Sequence, residues 1–181
     1  VTITDPAPIV VLVGLMGTGK STIARELATR LGRVCFDTDK IVETRSGVSV
    51  RQLFADLGES GFRDIETSVL EECLHSDQPC IVAAAGGIVV RPQNRQALDH
   101  ARQLGQASVV WLHAAPSVLA KRTAKGGHRP LLDTDRLGTL QRLHDERGPL
   151  YASVSDVVID TTDCSIESIV DLIVDSLSGD S

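Results

Sequence analysis

Short apolar runs alternate with longer amphipathic stretches from residue 9 to near the end of the chain. Ile9-Val10-Val11-Leu12-Val13 is a continuous, mostly β-branched run, the pattern of a strand buried on both faces. Thr22 to Leu31 follows, with Ile23, Leu27 and Leu31 spaced by four along one helical face. Val34-Cys35-Phe36 predicts a second strand, and Asp39 to about His75 reads as one largely helical region. Cys80 to Ala85 predicts a third strand. Pro92 opens a helix to about Gln103, at the first-turn position that proline favours. Ala107 to His113 is a fourth strand, and Pro116 opens another helix. Asp135 to Arg147 reads as helix, Asp156 to Asp160 as a fifth strand, and Ser165 to about Ser176 as a closing helix. Five strand-like runs separated by helices imply an α/β fold, a parallel sheet with helices on both faces. The pattern has no internal repeat and no linker. It predicts a single domain over 8–177, with 1–7 and 178–181 as flexible ends.

Ligands of such sheets gather at the carboxyl ends of the strands, and the sequence concentrates its chemistry there. Directly after the first run, Gly14-Leu15-Met16-Gly17-Thr18-Gly19-Lys20-Ser21 is a complete G-x-x-x-x-G-K-[ST] phosphate loop. Strand, glycine-rich turn and helix together make this pattern a nucleotide site. The glycines let backbone N–H groups close around phosphate oxygens, and the helix start at Lys20 to Thr22 adds its partial positive charge. Lys20 would reach the β- and γ-phosphates, and the Ser21 hydroxyl would ligate Mg²⁺.

Composition narrows the partners. The 181-residue chain is 42% hydrophobic and 23% charged, as an ordinary globular protein is. No apolar run approaches the roughly 18 residues of a membrane span. The N-terminus lacks the basic start and apolar run of a signal peptide, so the cytoplasm is the expected location. Formal charge is −6, with one Trp, one Tyr and three Phe, which argues against a nucleic-acid partner: neither a cationic surface nor a stacking platform is evident. Arginines for an anionic small substrate must then be placed locally. Cys35, Cys73, Cys80 and Cys164 have no C-x-x-C spacing, and Cys35 and Cys80 read as small core residues.

Asp37-Thr38-Asp39 follows the second strand. If the backbone stays extended, both carboxylates lie on one side. One could hold the Mg²⁺ hydration shell while the other orients an acceptor hydroxyl and takes its proton; otherwise Asp39 caps the next helix. Arg63 and Glu66 are three apart on a helix, so Glu66 could pin the guanidinium as a fork for a carboxylate or phosphate, or the two form an ordinary surface pair. Gly86 and Gly87 permit close backbone approach to a ligand, or merely turn the chain. Gly126 and Gly127 suggest a mobile lid over about 123–135, with Arg129 folding onto the γ-phosphate, the alternative being a basic disordered loop. Arg147 is a second fork, or a basic residue at a helix C-terminus.

In this order, the phosphate loop, Phe36-Asp37-Thr38-Asp39, Phe54 through Gly58-Glu59, Phe62-Arg63-Asp64-Ile65-Glu66, Gly86-Gly87, Arg129-Pro130-Leu131-Leu132 and Arg147-Gly148-Pro149-Leu150-Tyr151 resemble the shikimate kinase family over about residues 9–176. The resemblance implies a P-loop, nucleoside-monophosphate-kinase-like fold. It implies MgATP-dependent phosphorylation of the 3-hydroxyl of shikimate, a step of chorismate and aromatic amino acid biosynthesis, by a monomer. It implies Lys20, Asp39 and Arg129 as catalytic groups, with Asp39 as base. Gly17, Thr18, Gly19, Lys20, Ser21, Thr22, Arg122 and Arg129 would bind ATP, Arg122 lying against adenine beside a Thr161–Ser165 loop. Asp39, Arg63, Gly86, Gly87 and Arg147 would bind shikimate, and Ser21 and Asp37 the Mg²⁺. The family usually carries three glycines where this chain has Ala85-Gly86-Gly87. If the first needs a positive φ, alanine strains the loop; if it is an ordinary strand end, a methyl group only trims the pocket. Two alternatives stay open: a kinase of the same fold for another small hydroxy acid or cyclitol, which Ala85 favours, and a non-catalytic nucleotide-binding regulator, against which Lys20, Asp39 and Arg129 argue.

Overall fold

The structure, a computed structural model, describes residues 7–124 and 135–178. Residues 125–134 of the lid predicted over about 123–135, Arg129 among them, lie outside the described residues, as do 1–6 and 179–181. The chain runs β1 (Ile9–Val13), α1 (Lys20–Leu31), β2 (Val34–Asp37), α2 (Thr38–Ser46), α3 (Val50–Leu74), β3 (Cys80–Ala83), α4 (Pro92–Gln103), β4 (Ala107–His113), α5 (Pro116–Ala124), α6 (Arg136–Val154), β5 (Val157–Asp160) and α7 (Ile166–Ser178). The five strands form one parallel sheet in the order β2-β3-β1-β4-β5.

The central position of β1 explains its unbroken apolar run: every residue of Ile9–Val13 is buried. Its side chains alternate between two cores. Val11 and Val13 join Val82, Val109, Leu70 of α3, Leu98 of α4, Leu119 of α5 and Leu140 of α6. Val10 and Leu12 join Ile81, Val110, Leu112, Ile23 and Leu27 of α1, and Ile169 and Ile173 of α7. Two helical layers therefore hold the sheet rigid, and all five strands deliver their carboxyl ends to one rim.

Four boundaries depart from the sequence expectation. The largely helical region from Asp39 to His75 resolves into two helices, parted at Gly47, whose left-handed φ of 71° ends α2, and restarted by Ser49, whose hydroxyl accepts the Gln52 N–H. The longer helix is itself interrupted at Gly58, with φ 67° and ψ 178°. The third strand stops at Ala83 rather than Ala85, because the Ala85 N–H leaves the ladder for the Thr38 hydroxyl, 2.9 Å away. The helix expected to end at Arg147 runs through Pro149 to Val154. Proline removes only the bond to Asp145, and both lie on the exposed face, while Tyr151 and Val154 anchor the extra turn in the core. Cys80 is fully buried as expected, whereas Cys35 is only half-buried.

At the opposite rim Asp156 ties three elements together. Its carboxylate accepts the Val109 N–H of β4 and the Arg102 Nε–H of α4, both at 2.8 Å, and its own N–H donates to the Val109 carbonyl at 2.8 Å. Asp156→Ala leaves the Val109 N–H unpaired and is expected to cost about 1–3 kcal/mol, a drop of several degrees in thermal unfolding, with ligand binding at the far rim unchanged. A melting temperature equal to wild type would contradict this account.

Candidate active site

The phosphate loop lies between β1 and α1. Gly19 caps α1 in a left-handed conformation, φ 93°, where a side chain would be strained, and no side chain caps the first-turn N–H groups. Those donors, with the positive end of the helix, make an anion site. The Lys20 ammonium lies across the loop, donating to the Gly14 and Leu15 carbonyls at 2.8 and 2.9 Å. Thr18 turns inward: it is 2% exposed, and its hydroxyl donates to the Leu15 carbonyl at 2.8 Å, so its side chain braces the loop. Gly17, Gly19, Lys20, Ser21 and Thr22 line an open cleft of about 790 Å³.

The same cleft reaches the ends of β2 and β3. Extended backbone stops at Asp37, so Asp37 and Asp39 are not a two-residue strand pair. Asp37 caps α2 by accepting the Lys40 N–H at 3.3 Å, and Asp39 stands in the first helical turn. Both still line the cleft. Thr38, fully buried between them, accepts the Ala85 N–H and so welds the two strand ends together. The carboxyl of Asp39 opens to the cleft yet is crowded by its walls. That desolvation pushes its pKa above the usual Asp value; Lys20 pulls it down, Asp37 and Glu43 push it up, and Arg63 pulls it down.

Arg63 stands at the other end, 9% exposed, held by Glu66 and, at 3.5 Å, by Glu59. Its Nε–H is buried without an acceptor among the described residues. Burial raises the pKa of Glu66, and the Arg63 charge opposes the shift. A Cβ at Gly87 would land inside the Arg63 guanidinium, whereas one at Gly86 would make ordinary contacts with the phosphate-loop backbone, the nearest to the Gly14 carbonyl at 3.5 Å. The requirement for glycine at position 87 is therefore the approach of Arg63, not backbone conformation. The Gly86 carbonyl accepts from Arg147 Nη1 at 2.9 Å and from the Tyr151 hydroxyl at 2.5 Å. Ala85 is buried and unstrained: among the described residues no non-glycine has positive φ, and its carbonyl accepts the Ile88 N–H at 3.0 Å. The loop needs no third glycine.

Arg122 closes the cleft beside α5. Its guanidinium donates to the Thr161 hydroxyl at 3.1 Å and to the Thr161 and Thr162 carbonyls at 2.5 and 3.0 Å, holding the turn after β5. Among the described residues no cluster of three or more His, Cys, Asp or Glu could cage a metal. Ser21 and Asp37 are hard oxygen donors beside the phosphate loop, which suits Mg²⁺, an ion held by few protein oxygens, substrate phosphates and water. The cleft thus gathers Lys20, Ser21, Asp37, Asp39, Arg63, Gly86, Gly87, Arg122 and Arg147; Arg129 lies outside the described residues. The sequence reading gave no role to Thr38, Glu59 or Tyr151. All three stood inside motifs that carry the resemblance, and Tyr151 stood out further as the single tyrosine of the chain, four residues after Arg147.

Residues 16–178 match the family model for shikimate kinase. The chain is 41% identical to a shikimate kinase of Burkholderia lata over 93% of this chain and 89% of that protein, and 39% identical to one of Marinomonas over 94% and 92%. Its fold matches a shikimate kinase from Acinetobacter baumannii in complex with shikimate, with a TM-score of 0.89, 31% identity, and coverage of 98% and 96%.

The two glycines are expected to differ on substitution. Gly87→Ala forces the Arg63 guanidinium off Glu66 and costs about 1–3 kcal/mol as overpacking; Gly86→Ala, in ordinary contact, stays within about 0.5 kcal/mol of wild type. Thermal unfolding of both variants and a crystal structure of Gly87→Ala are the check. An unmoved Arg63 in that crystal would sink the steric argument.

Proposed function

The chain belongs to the shikimate kinase family, and we propose that its cleft transfers the γ-phosphoryl group of ATP to the 3-hydroxyl of shikimate by a division of labour between its two ends. Asp39 carries the reading. It lines the same cleft as Lys20 of the phosphate loop and Arg63 at the far end, and both cations favour its ionised form against the desolvation that raises its pKa. The α1 N-terminus, Lys20, Thr22 and the loop N–H groups of Gly17, Thr18 and Gly19 bind the triphosphate, Lys20 neutralising charge as the bond to the leaving phosphate stretches. Arg122, already fixed to the Thr161–Thr162 turn, lies against the adenine. Arg129 acts from the lid. Ser21 and Asp37 would hold Mg²⁺, which would supply charge neutralisation at the phosphates.

At the acceptor end, Arg63 and Arg147 take the shikimate carboxylate. The unpaired, buried Nε–H of Arg63 is a donor that a ligand oxygen satisfies. The Gly86 and Gly87 backbone lines the same pocket. Asp39 orients the 3-hydroxyl and accepts its proton as the new P–O bond forms and the bond to ADP breaks; the proton then passes to solvent. The crowding that raises the Asp39 pKa strengthens it as a base, while Lys20 and Arg63 favour its charged form.

An ADP-release assay across shikimate, quinate and gluconate tests the substrate. Turnover of shikimate is expected, and turnover of another acid with none of shikimate overturns the assignment. Asp39→Asn is expected to lower kcat by about 10²–10⁴ with ATP affinity nearly intact. Its sign in pH is fixed: the base must be ionised, so wild-type kcat falls as pH drops through a value above 3.8, the ordinary Asp pKa, and the variant lacks that limb. The variant is also expected to melt no lower than wild type at neutral pH, because it removes a crowded ionised carboxyl. Unchanged kcat would remove Asp39 from the base role.

A further inference from the structure

We propose that Tyr151 is a positioning residue for the acid-binding end of the cleft: its hydroxyl holds the Gly86 carbonyl, which frees Arg147 for the acceptor carboxylate and aims the Gly87 N–H at the same group. The proposal rests on the reading that this carboxylate lies between Arg63 and Arg147.

The geometry begins with the turn of α6 beyond Pro149. Arg147 and Tyr151 are four residues apart, hence on one helical face, and both donate to the same oxygen, at 2.9 and 2.5 Å. One acceptor with two donors from one helix is redundant. The redundancy acquires a purpose when Arg147 turns to a carboxylate: the Tyr151 hydroxyl then keeps the carbonyl satisfied, so the arginine leaves no bare buried acceptor behind. The peptide between Gly86 and Gly87 is also fixed in plane. In a trans peptide the N–H points opposite to the carbonyl, so anchoring the Gly86 carbonyl on α6 turns the Gly87 N–H away from α6. That N–H has no acceptor among the described residues. Hydrogen bonds to the carbonyl polarise the peptide and strengthen this N–H as a donor.

Tyr151 is well suited to such a hold. It is 1% exposed and stacked on Trp111, with ring centroids 5.7 Å apart and planes at 29°. Burial lifts its pKa to about 12, so the hydroxyl remains a donor throughout the physiological range. It does not meet the reacting atoms in this account; its effect passes through Gly86, Gly87 and Arg147.

Tyr151→Phe keeps the ring and its stacking and removes only the donor. The expected result is a KM for shikimate raised about five- to tenfold, the worth of one hydrogen bond, with kcat within about twofold and the KM for ATP unchanged. A purely structural tyrosine would instead lower the melting temperature and weaken both substrates alike. Unchanged KM for shikimate, or an equal rise for ATP, overturns the proposal. Because Tyr151 is the only tyrosine, wild-type protein grown with 3-fluorotyrosine carries a single ¹⁹F resonance, which decides the matter should the variant not fold. Shikimate is expected to shift that resonance and MgATP alone to leave it in place; no shift with saturating shikimate overturns the proposal. Wild-type protein that does not phosphorylate shikimate would remove the underlying reading and the proposal together. Wild-type turnover with an unaltered variant removes the proposal alone.

Discussion

The acceptor half of the cleft is organised around one buried ion pair, Arg63 with Glu66. Taking two charges out of water costs several kcal/mol each, and their attraction offsets this only when the geometry is good. Such a pair is a poor way to stabilise a fold and a good way to fix a guanidinium in space. Here Glu66 fixes one edge, Glu59 leans on another, and Gly87 leaves the room the group needs. A single Cβ at 87 would undo the arrangement, so the sequence of the loop after β3 is dictated by a side chain on α3. The pair also carries charge to the centre of the cleft, where it acts on Asp39.

Electrostatic balance follows from that placement. The chain is net acidic, yet its cleft collects Lys20, Arg63, Arg122 and Arg147. An overall negative surface does not attract anionic ligands by long-range steering. Recognition is therefore local, built from forks and backbone donors within a Debye length of the bound anions. Asp37, Asp39, Glu43 and Glu66 keep these cations from being a simple sink for phosphate. Three of the four have a fixed partner: a helix cap for Asp37, an N–H partner in Val50 for Glu43, a guanidinium for Glu66.

The five parallel strands, the phosphate loop and the candidate residues that the cleft gathers were legible in the sequence because each rests on local pattern. An apolar run such as Ile9–Val13 must be buried, and a glycine-rich turn between strand and helix can do little else. What escaped depended on distant partners. The end of β3 at Ala83 is set by Thr38, 47 residues away from Ala85. The continuation of α6 through Pro149 is set by the burial of Tyr151 and Val154, which outweighs a local helix-stop signal. The break at Gly58 was hidden by helical periodicity on both sides of it. Ala85 looked like a threat to the loop because position alone suggested a backbone requirement. The structure moves that requirement to Gly87, where it is steric.

Stability and activity make opposite demands on the same carboxyls. Asp39 and Glu66 both have pKa values raised by desolvation. The folded chain therefore binds their protons more tightly than the unfolded chain does. By linkage, their contribution favours folding most at low pH and is lost as pH rises from the unfolded values through the raised folded ones. The proposed transfer of the acceptor proton to Asp39 needs the ionised form, which appears over that same interval. On that proposal the site gains its base in the pH range where its carboxyls weaken the fold. The two cores packed against β1 offset this, since they draw on apolar burial that does not titrate. The desolvated carboxyls are confined to the rim, and the sheet beneath it carries the stability that offsets their cost.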